Sequence, residues 1–173
     1  MGGIDPFREQ LRELLSGVLA AAQVDELKAL LREIAATEFV SELVSTVESD
    51  ARRGYGRVSL FREGRAELGL VVLRPGERIR PHDHGVYECD ASSEARIVGL
   101  VLVVQGSELN RFYRVTGTDT LEELSARSVV AGEVIELSPE IIHSVENVGD
   151  AVVAALHAYI HAQDDPATGK RRF

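Results

Sequence analysis

The apolar residues of this chain change period once, near residue 50, and that change constrains the fold more than any other feature. Before it they recur three and four apart: Phe7, Leu11, Leu14, Leu15 and Val18, then Leu27, Leu30, Leu31 and Ile34, then Phe39, Leu43, Val44 and Val47. That spacing lays an apolar stripe along one side of an α-helix. Two or three amphipathic helices are expected between residues 5 and 49, the first opened by Asp5-Pro6 as cap and first-turn pair. Their apolar sides need a partner, on the rest of the chain or on a second subunit. Beyond residue 50 the period falls to two. Runs rich in Val, Leu and Ile at 57–62, 66–73, 96–105, 109–116, 133–137 and 152–160 are broken by Glu63-Gly64, Pro75-Gly76, Gly106-Ser107, Gly117, Gly132, Pro139 and Gly149-Asp150. Short strands at this spacing indicate a mainly β protein, a sandwich or barrel. The 173 residues are expected to form a helical extension (1–50), one β domain (51–165) and a tail (166–173).

Charge narrows the partners. A net charge of −9 argues against nucleic acid, whose phosphates need clustered Lys and Arg. Lys170-Arg171-Arg172 is read as a solvated tail. A single cysteine, Cys89, forbids an internal disulfide and fits a reducing cytosol. No signal peptide is visible, and no apolar stretch reaches the ~18 residues of a membrane helix. A cytoplasmic protein without a membrane partner is expected.

The chain has five histidines, and their positions carry the functional reading. His82 and His84, two apart, share one face of a strand, so their rings can converge on one ion. His143 follows the Gly132…Pro139 turn. Three neutral imidazoles around an ion leave coordination positions open, the pattern of a catalytic rather than a structural site. Tyr55 and Arg57 share a strand face, and a guanidinium can grip a carboxylate with two parallel hydrogen bonds. Ala155, His157 and Tyr159 share another face; a His and a Tyr on an apolar strand need partners if buried. His161 has the same parity but falls at the strand end and is read as solvated. Ser144 adjoins His143, but neighbouring strand residues point to opposite faces, which argues against a nucleophilic hydrolase.

Gly76, five residues, His82-Asp83-His84, three residues and Glu88 resembles the first motif of the cupins. Gly132, six residues, Pro139, then His143, three residues and Asn147 resembles the second, one residue shorter between Pro and His. The resemblance implies a double-stranded β-helix, or jelly roll, with a metal in its mouth. Pro81-His82-Asp83-His84, the segment from Ile142 to Asn147, and the closing His157-Ala158-Tyr159 are similar to the thiol dioxygenases, over roughly residues 50–165. That likeness implies Fe(II) on His82, His84 and His143, with a small carboxylated thiol oxidised by O2 to a sulfinic acid. It also implies Arg57 on the substrate carboxylate, Tyr55 beside it, and His157 with Tyr159 as an outer hydrogen-bonded pair.

The chain departs from that family in three places. Ala155 stands where the family has a serine. Residues 85–95 read as an insertion that can form a lid. Glu88 has the spacing of a candidate fourth ligand, and Cys89 that of a thiol crosslinked to Tyr159, but an insertion beginning at Gly85 removes both assignments. Ni, Mn and Zn stay open as alternatives to iron. So do two other functions: a metal cupin enzyme of another reaction class, such as another dioxygenase or an isomerase, and a non-catalytic ligand-binding cupin. A homodimer is compatible with the helical extension.

Overall fold

The structure, a computed structural model, describes residues 3–16, 19–84, 97–117 and 120–161. A 3-10 turn, Asp5–Phe7, leads into three helices: α1 (Arg8–Leu14), α2 (Ala21–Ala35) and α3 (Glu38–Thr46). Asp5 is not the cap expected of it. It lies inside the 3-10 turn, behind Ile4, and its carboxylate accepts from Arg8 Nε at 2.7 Å. The longer helices are capped from their own sequence. Gln23 Oε1 accepts from the Ala20 N–H at 2.9 Å, and Thr37 Oγ1 accepts from the Val40 N–H at 3.4 Å.

Nine strands follow: β1 (Gly56–Glu63), β2 (Ala66–Leu73), β3 (Arg78–His82), β4 (Gly99–Gln105), β5 (Ser107–Val115), β6 (Leu121–Val130), β7 (Val134–Leu137), β8 (Ile142–Glu146) and β9 (Val153–Ile160). They form two antiparallel sheets, β1-β2-β9-β4-β7 and β3-β8-β5-β6. The period-two runs indicated a mainly β sandwich or barrel, and the two sheets form the jelly roll that the cupin resemblance implied. Three of the strands, β3, β6 and β8, lie outside those runs.

The five-stranded sheet is covered on both faces. Leu68, Leu70 and Val72 of β2, Leu100 and Leu102 of β4, and Leu156, Ala158 and Ile160 of β9 join Leu27, Leu31 and Ile34 of α2 in the main core. Alternate residues of the same strands turn inward: Val71 and Leu73, Val101 and Val103, Ala155 and Tyr159. Hence every residue of β2 and β9 is buried. Truncating a fully buried helix leucine such as Leu31 to Ala should cost about 2–5 kcal/mol. The helices therefore close the outer face of the sheet, and the inner face is left to the site.

Two motif residues hold the barrel end. Gly76 takes φ +81°, a left-handed conformation that disfavours any Cβ, and its N–H bonds the Asn147 carbonyl at 3.0 Å. Asn147, fully buried, donates from Nδ2 to the carbonyls of Leu73 (2.9 Å) and Ala151 (2.8 Å). Among the described residues no helix is long and apolar enough to cross a membrane.

Candidate metal centre

The pairing of β3 with β8 makes the site. His82 and His143 are direct cross-strand partners, and an irregularity between Ile79 and His82 keeps both Ile79 and His82 opposite inward residues of β8. His84, two residues on, comes alongside. The ring centroids lie 5.2 Å (His82–His84), 4.8 Å (His82–His143) and 5.1 Å (His84–His143) apart. One nitrogen of each lies within 4.8 Å of those of the others, an arrangement that can hold a metal ion. His84 and His143 are buried and His82 half-buried.

The hydrogen bonds of the rings fit a metal. His82 Nδ1 lies 2.9 Å from the Arg80 carbonyl, which only accepts, so Nδ1 carries the proton and Nε2 the lone pair. His143 Nδ1 lies 3.0 Å from Asn110 Oδ1, which again leaves Nε2 as the ligating nitrogen. Asn110 is itself oriented, because its Nδ2 donates to Glu108 Oε1 at 2.8 Å. Both are buried inside β5, and the half-buried Phe112 on the same strand stacks its ring on His143 at 6.2 Å. Burial pushes the Glu108 carboxyl up to about 7, against the hydrogen bond from Asn110. The sequence reading missed Glu108 and Asn110; their signal is a period-two alternation, Glu108-Asn110-Phe112, of inward residues on β5.

Tyr159 and His157 come to the same end of the barrel. Tyr159 stacks on His84 at 5.4 Å and shares a 2.6 Å hydrogen bond with His157 Nδ1. Burial holds the tyrosine hydroxyl well above its ordinary pKa, so it keeps its proton at neutral pH. Gly99 leaves room for that ring: a Cβ there would stand 2.7 Å from Tyr159 Cδ1. Ala155 packs among Val101, Val103, Val129 and Leu137, an apolar contact on the face that carries Tyr159. Ser144 points to the other face, where its hydroxyl meets Tyr113 at 3.0 Å.

Arg57 is placed beside this pair but is not a free cation. Its Nη2 donates to Glu67 Oε1 at 2.7 Å, and Glu67 Oε2 lies 2.6 Å from His161 Nε2. His161 is therefore not solvated, as its position at the end of β9 suggested. It is 3% exposed, because the inward parity of β9 continues past the last strand residue onto a buried carboxylate. Gly69 opens the space for this network: a Cβ there would come 3.2 Å from Arg57 Nε. A cavity of about 690 Å³ joins the parts, bounded by Tyr55, Arg57, His82, His157 and Tyr159, with the turn 51–54 and the open edge of β3 at its mouth. Glu88, Cys89, the segment 85–95 and the tail 166–173 lie outside the described residues.

No protein-family model matches this chain. Solved structures do. An oxalate oxidase in complex with the substrate analogue glycolate superposes with TM-score 0.51 at 16% identity, over 72% of this chain and 58% of that one. CapF bound to the inhibitor 3-isopropenyl-tropolone gives 0.53 at 18%, over 73% and 34%. Peruvianin-I, a cysteine peptidase from Thevetia peruviana latex, gives 0.51 at 16%, over 74% and 72%. The chain spans a little over half the length of the oxalate oxidase. At such identities the likeness is one of fold: the barrel is the cupin double-stranded β-helix.

Proposed function

We propose that this cupin is a non-heme Fe(II) thiol dioxygenase that converts a small carboxylated thiol and O2 into a sulfinic acid, both oxygen atoms passing to sulfur. The observation that carries the reading is one cavity lined by Arg57, by the Tyr159–His157 pair and by His82, the member of the three-histidine cluster that reaches it. His82, His84 and His143 hold the ion through Nε2 of His82 and His143 and one nitrogen of His84. Bound Fe(II) would supply positions for sulfur and O2, favour the thiolate form and carry the redox change.

The chain's own residues do the rest. Glu67 holds one nitrogen of the Arg57 guanidinium, which fixes the plane of the fork. The remaining N–H groups bind the substrate carboxylate and set the distance from sulfur to the histidines. The 2.6 Å hydrogen bond between His157 Nδ1 and the Tyr159 hydroxyl fixes that hydroxyl at the cavity; in the tautomer with the proton on His157 Nδ1, the tyrosine O–H can donate to the substrate. Tyr55 flanks Arg57 on the cavity wall.

A second reading, a metal-dependent cupin enzyme acting on a sulfur-free small acid, draws on the fold shared with a glycolate-bound oxalate oxidase. Oxygen uptake by the iron-loaded protein decides between them. A panel of thiols with and without a carboxylate should show uptake and a product heavier by two oxygens for at least one carboxylated thiol. Iron bound at one ion per chain with no uptake on any thiol overturns the thiol reading.

A further inference from the structure

The cavity is larger than a three-carbon thiol acid fills and lies in the range that holds drug-sized ligands. Its lining holds five arginines: Arg52 and Arg53 in the turn before β1, Arg57 on β1, and Arg78 and Arg80 on β3. Among the described residues one acidic residue, Glu77, shares that lining, and its carboxylate accepts from the Arg74 N–H at 2.8 Å. That basic bias, in a chain of net charge −9, lies at the opening that leads to His82.

The five differ in what they already hold. Arg57 is paired with Glu67, and Arg53 lies 3.8 Å from Asp50. Arg52, Arg78 and Arg80 have no carboxylate partner among the described residues. A single substrate carboxylate at Arg57 leaves these three charges unused. They sit in solvent-exposed positions at the mouth, where a ligand can reach them without a closing motion.

We propose that the substrate carries, at the end away from the metal, a multiply charged oxyanion group that seats on Arg52, Arg78 and Arg80. Phosphate esters and polycarboxylates share this chemistry, since both present several acceptor oxygens to guanidinium forks. The rim also attracts such anions to the opening against the repulsion of the acidic surface elsewhere. The proposal rests on the reading that the reaction takes place at the His82 end of the cavity, but it is tested by binding alone.

The test is calorimetric titration of the full chain with acetate, tricarballylate and inorganic pyrophosphate, in the wild type, in Arg52→Gln/Arg78→Gln/Arg80→Gln, and in Arg127→Gln on β6 as a control. The wild type should bind one of the two multiply charged probes at least tenfold tighter than acetate, and tenfold more salt should narrow that gap. The triple variant should bring all three probes within threefold, and Arg127→Gln should leave the gap intact. Pyrophosphate as the tighter probe assigns a phosphate group, tricarballylate a polycarboxylate. His143→Ala separates the rim from the metal, because its gap should persist if the arginines bind the anion. Equal affinities in the wild type, a gap insensitive to salt and to the triple variant, or a gap lost in His143→Ala overturns the proposal. None of these readings depends on oxygen uptake, so a failure of the thiol reaction is seen separately.

Discussion

Glu108→Gln should make the metal-free protein more stable than the wild type at alkaline pH and change its stability little in acid. Glu108 is 1% exposed, and its Oε2 has no hydrogen-bond partner among the described residues. Asn110 donates to Oε1 at 2.8 Å. Ionising a carboxyl there is unfavourable, and its pKa stands near 7 instead of 4.5. Below the unfolded value both states hold the proton, and Glu108 imposes no charge cost. As pH rises, the unfolded chain ionises first, so the folded state holds the extra proton and stability falls until pH passes the folded value. At 1.36 kcal/mol per pH unit the gap between 4.5 and about 7 amounts to about 3 kcal/mol. Glutamine keeps an oxygen for Asn110 and cannot ionise. Urea unfolding of both proteins between pH 4.5 and 9 measures the difference directly, since other titrating groups are shared. The difference should grow by about 3 kcal/mol, mostly between pH 5 and 7.5. A difference independent of pH would refute the placement of Glu108 as a buried, unpaired carboxyl.

Other substitutions probe the packing around the site. Gly99→Ala places a Cβ 2.7 Å from both the Ala158 carbonyl and Tyr159 Cδ1, so thermal unfolding should show a loss of roughly 1–3 kcal/mol; an unchanged Tm would contradict the close approach. Glu67→Ala strands Arg57 and the buried His161 together, and a loss of about 2–4 kcal/mol is expected by denaturant titration, at the lower end because Arg57 is partly exposed. Gly69→Ala crowds Arg57 Nε at 3.2 Å and should raise KM for a carboxylated substrate several-fold with iron content unchanged; an unaltered KM would remove Arg57 from substrate binding.

The parts of the site legible in the sequence are those that obey strand parity. His82 and His84 share a face because they are two apart, and His157 pairs with Tyr159 for the same reason. The meeting of His82 with His143 is a register fact, set by β3 pairing with β8, and the motif spacing anticipated it without giving the strands. The missed strands have physical causes. β6 is exposed along nearly all its length, so it has no apolar alternation to read. β3 carries two arginines and a proline, and β8 is only five residues long. His161 misled because a strand's inward face does not end where its ladder ends. Glu67 and Glu108 were invisible as buried acids, since on an isolated strand a glutamate reads as solvent-facing; Glu67 is recognisable only as the single charge in a run apolar on both faces.

The three-histidine centre is tested by metal content, from elemental analysis of the chain purified without chelator, beside His84→Ala and His143→Ala. Close to one transition-metal ion per wild-type chain is expected, and almost none in either variant, with far-ultraviolet circular dichroism unchanged in both. A folded His143→Ala protein that keeps a full ion would contradict that centre, because the ion would then lie outside the cluster that the β3–β8 pairing builds.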